Sequence, residues 1–118
     1  MTDRLTKNTF SIVEVISTDT ASGEKKRPVY ILKTNGVVFQ CYIITTKYDD
    51  KPNHIKPYFL EIIDIEHANL FERSWINTYD LYNLPVEKVR TTFIGTLSEK
   101  DTERLIKLLS NDLHQHNE

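Results

Sequence analysis

Residues 29–44 read VYILKTNGVVFQCYII, two apolar runs on either side of a polar pair. Both runs are rich in β-branched and aromatic residues, a composition typical of strands. Between them stands Asn35-Gly36, a dipeptide preferred in type I′ hairpins because both of its residues must adopt a positive φ. The sequence therefore predicts an antiparallel pair, residues 29–34 and 37–44, joined by a tight turn.

Apolar and β-branched runs elsewhere in the chain predict further strands, and the polar stretches between them predict exposed loops. The predicted strands are residues 9–16, 58–63, 74–78 and 88–96, and the two longest loops are residues 17–28 and 45–57. A short helical turn is one interpretation of residues 65–72.

A helix is predicted after the last strand. Ser98-Glu99-Lys100-Asp101 has the pattern of a capping box, which opens a helix. Apolar side chains follow at helical spacing and predict a face that docks on a core or a partner. They are Leu105, Ile106, Leu108 and Leu109. The order of elements predicts a mainly β (α+β) fold, a small β-barrel or strongly bent sheet with a C-terminal α-helix.

The length of 118 residues suits one domain, residues 1–118, with loose termini at 1–8 and 111–118.

Cys41 is the only cysteine, so no intrachain disulfide forms, and its apolar neighbours indicate a buried small hydrophobe. No apolar leader opens the chain, and no apolar run is long enough to span a bilayer. These features predict a cytoplasmic protein with no membrane association.

The charge is distributed unevenly along the chain. Residues 17–57 hold seven Lys and Arg against four acidic residues, whereas residues 58–87 hold one Arg and six acidic residues. The net charge of −2 alone argues against a nucleic-acid partner. The basic first half nevertheless offers a surface that can meet phosphates, although ordinary solvated charge gives the same pattern.

The predicted hairpin brings two polar segments to one rim of the sheet. Arg27 comes directly before the first strand, and Thr45 and Thr46 come directly after the second. Because the strands are antiparallel, these residues should emerge side by side. An arginine fork beside hydroxyl groups is a good phosphate site, since it combines charge-assisted bonds with neutral donors. The alternative is that Arg27 is an ordinary surface charge and the threonines begin a turn.

Several well-known chemical signatures are missing. The chain has no Cys pair, no H-E-x-x-H, no Gly-rich phosphate loop and no G-x-S-x-G. No metal site and no cofactor are therefore predicted, and chemistry must rest on polar side chains at strand ends and loops.

Five short stretches follow one another in a characteristic order. They are the strand at 10–16, SGEKKRPVYIL at 22–32, IITTK at 43–47, SWI with YDL at 74–81, and FIGTLS at 93–98. Their order and spacing resemble the MazF/PemK family of toxin endoribonucleases, over residues 10–109. The family's opening Gly-Asp is absent, and Ile43 stands where the family has a proline.

The resemblance implies an SH3-like β-barrel of the MazF/CcdB kind and a metal-independent endoribonuclease, or mRNA interferase, that cuts single-stranded RNA at short sequences. The family's catalytic pair carries over to Arg27 and Thr45. Attack of a 2′-hydroxyl on the adjacent phosphate builds charge that Arg27 would neutralise, or Arg27 would donate toward the 5′-oxygen. Thr45 would hydrogen-bond a phosphoryl oxygen. The expected products carry a 2′,3′-cyclic phosphate and a 5′-hydroxyl.

Other residues are assigned to the same site. His54 is the candidate general base because an imidazole changes charge near neutral pH, although an ordinary exposed loop histidine is the alternative. RNA binding is assigned to phosphate contacts and steering charges, with Tyr48 and Tyr58 as candidates for stacking on bases. The RNA-binding set is Ser22, Lys26, Thr46, Lys47, Tyr48 and Lys56. Trp75 is expected to pack in the core.

The resemblance also implies partners, namely a second copy in a homodimer and an acidic antitoxin protein that covers the RNA groove. Two alternatives stay open. One is a CcdB-like toxin that binds DNA gyrase without catalysis, and the other is an inactive SH3-like binding module. Toxicity that Arg27→Ala leaves intact and changes in the C-terminal helix abolish would favour the gyrase-binding toxin, whereas the inactive module predicts no growth effect and no RNA cleavage.

Overall fold

The structure, a computed structural model, describes residues 11–17 and 25–111. Within these residues the strands are β1 (Ser11–Ser17), β2 (Lys25–Thr34), β3 (Val38–Thr45), β4 (Phe59–Glu61), β5 (Trp75–Pro85) and β6 (Val89–Thr96). Two 3-10 turns, Lys56–Tyr58 and Val86–Lys88, precede β4 and β6. The helix α1 spans Glu99–Leu109. No helix in this part of the chain is long and apolar enough to cross a membrane.

The six strands form one antiparallel sheet in the order β4-β5-β3-β2-β1-β6. In residues 11–17 and 25–111 the fold is therefore mainly β with one helix, as the sequence predicted. β4 and β6 are the two edges, and no ladder joins them in the described residues. Closure of the sheet into a barrel stays a prediction.

The segment after β4 covers the edge of β6. Asn69 donates from Nδ2 to the carbonyl oxygen of Ile94 at 3.0 Å, and Nδ1 of His67 lies 3.0 Å from the carbonyl oxygen of Thr96. A Cβ on Gly95 would stand 2.5 Å from the carbonyl oxygen of Ala68, so only glycine permits this approach. Residues 65–69 form hydrogen-bonded turns rather than a helix.

Both faces of the sheet are buried at β1, β2 and β3, which explains why β2 and β3 read as nearly continuous apolar runs. Alternate residues of β1, β2 and β3 point into two separate cores. One core, on which α1 packs through Leu105, contains Ile12, Tyr30, Tyr42, Ile44, Leu60, Ile62, Ala68, Ile76 and Leu97. The other contains Val13, Val15, Val29, Ile31, Phe39 and Cys41.

The helix docks through a buried carboxylate. Ser98 is its N-cap and accepts from the backbone N–H of Asp101 at 3.1 Å. The Asp101 side chain, only 1% exposed, accepts from the backbone N–H groups of Ile63 and Asp64 and from Arg104. Of the predicted apolar stripe, Leu108 and Leu109 join Leu105 against the core, whereas Ile106 is exposed.

The predicted hairpin is confirmed, but its turn class is wrong. Thr34 pairs with Phe39, so four residues lie between the paired positions instead of two. Gly36 has φ 87°, while Asn35 does not adopt a positive φ. The reason is that the Asn35 side chain accepts from the backbone N–H groups of Val37 and Val38, which widens the turn.

Two predicted boundaries were wrong. Residues 25–28 were assigned to a loop but belong to β2, where they pair with Glu14–Ser17 of β1. β5 was predicted to end at residue 78 but continues to Pro85. Lys26 and Arg27 are charged and exposed, and in residues 79–84 the apolar side chains stand at 79, 81, 82 and 84, so neither stretch shows the regular apolar alternation that reports a strand. The predicted loose termini were residues 1–8 and 111–118, and all of these residues except 111 lie outside the described residues.

Candidate functional site

The pairing between β2 and β3 stops before either strand ends. The last pair of their ladder is Val29 with Ile43. Beyond it, β2 continues along β1, while β3 continues along β5 through the pairs of Ile44 with Ile76 and Thr45 with Trp75. Pro28 stands at this point and has no N–H to donate to a ladder. We call the place where this ladder stops, between residues 26–28 of β2 and residues 44–45 of β3 with Thr46 after them, the notch.

Arg27 and Thr45 stand on the two sides of the notch. Arg27 comes two residues before Val29 and Thr45 two residues after Ile43, so the β2–β3 register, if continued, would set them opposite each other. Arg27 is exposed, and no hydrogen bond or ion pair joins its side chain to another described residue. Its guanidinium therefore presents its donors to solvent.

The Thr45 hydroxyl has a defined orientation. Its Oγ1 accepts from the backbone N–H of Lys47 at 3.0 Å, and the side chain is half-buried. A hydroxyl has one hydrogen to donate besides its acceptor lone pairs. Because Lys47 takes up acceptor capacity, the O–H of Thr45 is left to donate, which suits contact with an anionic oxygen.

An aromatic stack fixes the loop of residues 46–58 beside the notch. The rings of Tyr48 and Trp75 are parallel within 8° with centroids 5.0 Å apart. A cation lies over each ring, Lys56 Nζ at 5.1 Å from the Tyr48 centroid and Arg73 Cζ at 5.0 Å from the Trp75 centroid. Trp75 is buried, as expected. Since Tyr48 already stacks on Trp75, it has less ring surface for a base.

Arg73 is held in turn by β4. It donates to both carboxylate oxygens of Glu61, from Nε at 3.0 Å and from Nη2 at 3.3 Å. These hydrogen bonds, followed by the coulombic attraction of the same carboxylate, raise the pKa of Arg73. The guanidinium thus keeps its charge over the face of Trp75.

His54 lies at a second aromatic group and not at the notch. Its ring centroid is 6.4 Å from that of Tyr79, and Tyr58 meets Tyr79 at 5.1 Å. In residues 25–111, His54 makes no hydrogen bond to Arg27 or Thr45. Sequence reasoning missed Tyr79 because the predicted strand ended at residue 78.

The remaining predicted residues divide between the two sides of the notch. Lys26 is exposed on β2 beside Arg27, and Thr46 and Lys47 are exposed directly after Thr45. Lys56 is half-buried over Tyr48. Ser22 lies outside the described residues. The notch is therefore bordered by basic and hydroxyl side chains from both strands.

Cys41 lies apart from the notch. It is fully buried in the second core, and burial raises the pKa of its thiol to about 11. This confirms the buried small hydrophobe expected from the sequence.

Among residues 11–17 and 25–111, no three His, Cys, Asp or Glu side chains come together as ligands for a metal ion.

A scan of the sequence against protein-family models finds no match, and a search of curated proteins finds no significant match.

Proposed function

We propose that this protein is a metal-independent endoribonuclease that cuts single-stranded RNA at the notch. The observation that carries the proposal is the parting of β2 and β3, which sets Arg27 and the donor hydroxyl of Thr45 on two sides of one opening. Charged and neutral donors that converge on one opening are what a phosphodiester undergoing transfer requires. The resemblance to toxin endoribonucleases supports the same reaction.

The reaction is an internal transesterification. The 2′-oxygen of the substrate attacks the adjacent phosphorus, and the bond from phosphorus to the 5′-oxygen breaks. The 2′-hydroxyl loses its proton, and the departing 5′-oxygen gains one. Arg27 neutralises the charge that develops on the phosphoryl oxygens or donates toward the 5′-oxygen, and Thr45 donates to a phosphoryl oxygen. The products carry a 2′,3′-cyclic phosphate and a 5′-hydroxyl.

The general base in this scheme is still the sequence-based candidate His54. Its ring lies at Tyr79, on the loop that borders the notch, and so it would reach the 2′-hydroxyl only in the bound complex. If the rate of RNA cleavage rises with pH in the wild type and does not rise in His54→Gln, His54 is identified as the general base.

The finer fold follows from the same interpretation. We take the sheet as an SH3-like barrel that is open between β4 and β6, where residues 64–69 cover the gap.

A cytoplasmic location, a homodimer and an acidic antitoxin belong to the proposal as well. Exposed apolar side chains such as Ile63 and Phe71, which are 63% and 96% exposed, suit contact with a protein partner.

The test is cleavage of a long single-stranded RNA by the purified protein with EDTA present, followed by analysis of the ends. We expect cuts at a few sites, with 5′-hydroxyl ends that a polynucleotide kinase labels without prior phosphatase treatment. Ends that need phosphatase first would contradict the transesterification. Intact RNA would refute the ribonuclease proposal and favour one of the two alternatives, a gyrase-binding toxin or an inactive binding module.

A further inference from the structure

β5 carries a wide bulge next to the loop of residues 46–58. Cys41 of β3 pairs with Tyr82 and Ile43 pairs with Asn77, so residues 78–81 of β5 face the single residue Tyr42. The bulge is held in place, since the Asn77 side chain accepts from the backbone N–H of Tyr79 at 2.9 Å. A bulge of this kind re-aims a side chain out of the regular pleat.

The bulge exposes Tyr79, Asp80 and Leu81, and Tyr79, which is 44% exposed, is the aromatic side chain among them. The ring of Tyr58 meets it at an interplanar angle of 66°, and the ring of His54 meets it at 83°. Neither neighbour is parallel to Tyr79, and no other described ring stacks face to face on it. Tyr48 differs, because Trp75 already lies parallel to it.

The charges beside this group balance, with three lysines against three aspartates, so attraction for an anionic ligand depends on where a single lysine lies rather than on net charge. The loop of residues 46–58 carries Lys47, Lys51, Lys56 and His54 against Asp49 and Asp50, and Asp80 follows Tyr79 on β5. Lys56 belongs to the same 3-10 turn as Tyr58 and reaches over Tyr48. Tyr48 in turn stacks on Trp75, the partner of Thr45, while Tyr58 contacts Tyr79. Lys56 is therefore connected to both the notch and the Tyr79 ring through one aromatic neighbour on each side.

The distance also fits a polynucleotide. Thr45 at the notch pairs with Trp75, and Tyr79 comes four residues later in β5. Four strand residues extend at most about 13 Å. A single strand bound by its phosphate at the notch can therefore place a neighbouring base on Tyr79.

We propose that Tyr79, with His54 and Tyr58 on its borders, is a stacking site for one unpaired base of RNA that flanks the phosphate in the notch. This rests on the proposed function for the identity of the ligand. Bases stack on aromatic side chains regardless of sequence, while lysines hold the backbone. The neighbouring rings then limit which base fits, and Tyr79 contributes to specificity rather than to the chemical step.

The test measures binding of a single-stranded RNA of about 12 nucleotides to the full chain in an Arg27→Ala background, which keeps the RNA intact. Tyr79→Leu should raise Kd about tenfold, whereas Tyr79→Phe, which keeps the ring, should stay within about twofold. The matched control is Tyr82→Leu, since Tyr82 is 40% exposed on the same strand. The Tyr82→Leu variant should bind the single-stranded RNA with the same Kd as the Arg27→Ala background.

Binding of a duplex of the same length should not change with Tyr79→Leu, because paired bases are not available to stack on a side chain. Equal Kd values for Tyr79→Leu and Tyr82→Leu, or an equal loss for single strand and duplex, would overturn the stacking site. Cleavage by the wild type is measured separately. A Tyr79-dependent Kd without cleavage would leave the stacking site standing while the proposed reaction falls.

Discussion

Gly36 is the residue on which the turn between β2 and β3 depends. Its φ of 87° lies in the region that a β-branched residue avoids. Gly36→Val should lower the free energy of unfolding by roughly 1 to 3 kcal/mol, measured as the midpoint of urea denaturation. The control is Val37→Thr, because Val37 is 70% exposed and its backbone is not in that region. Equal midpoints for the two variants would count against the turn described.

Single residues also mark where sequence reasoning reached its limit. Asn35-Gly36 located the turn, and the hairpin geometry then placed Arg27 and Thr45 at one rim without a structure. The turn class was wrong because the Asn35 side chain competes for backbone N–H groups, a contact that a dipeptide preference does not describe. Tyr79 was missed because its place depends on a bulge that is defined only by strand pairing.

The helix docks through a buried carboxylate in addition to its apolar side chains. Asp101 receives the backbone N–H groups of Ile63 and Asp64 at 3.3 and 2.9 Å and the Arg104 guanidinium at 2.8 Å. Asp101→Ala leaves both backbone donors without this acceptor, so we expect a loss of roughly 2 to 4 kcal/mol in unfolding free energy. Urea denaturation followed by far-UV circular dichroism measures it.

Glu99→Ala is the matched control for this helix. Glu99 is exposed in the same first turn and interacts with the helix terminus only, so its removal should cost less than about 1 kcal/mol. If Asp101→Ala were no worse than Glu99→Ala, the tie between the helix and residues 63–64 would be refuted.

The capping pattern at 98–101 shows how an element can be predicted while its docking is not. The start of the helix was read correctly from Ser98 and the residues that follow. A capping box would return the fourth side chain to the N-cap backbone, but Asp101 turns to residues 63–64 instead. A contact across 37 positions of sequence leaves no local signal.

At the scale of the whole molecule, the central strands bury both faces of the sheet, and this makes the stability of the protein sensitive to alkaline pH. Tyr30 is 2% exposed, and burial, with a smaller contribution from Tyr42, raises its pKa to about 12. The unfolded chain ionises this phenol near pH 10, so the stabilisation is complete below pH 10 and is lost between pH 10 and 12. The burial-raised pKa values of Cys41 and Tyr42 act in the same direction.

Tyr30→Phe removes the phenol that ionises. The fall in urea midpoint between pH 10 and 12 should therefore be shallower in this variant than in the wild type, by an amount on the order of 2 kcal/mol across the interval. Tyr82→Phe, at an exposed site, should follow the wild type. An unchanged pH dependence in Tyr30→Phe would mean that Tyr30 is not buried in the native molecule.

The most direct test of the central claim compares three proteins in single-turnover cleavage of one single-stranded RNA, with EDTA present. They are the wild type, Arg27→Ala and Lys33→Ala, which removes an exposed charge from the other end of β2. We expect Arg27→Ala to slow cleavage roughly 10²- to 10³-fold and Lys33→Ala to cleave at the wild-type rate. Cleavage by folded Arg27→Ala at the wild-type rate would contradict a reaction at the notch.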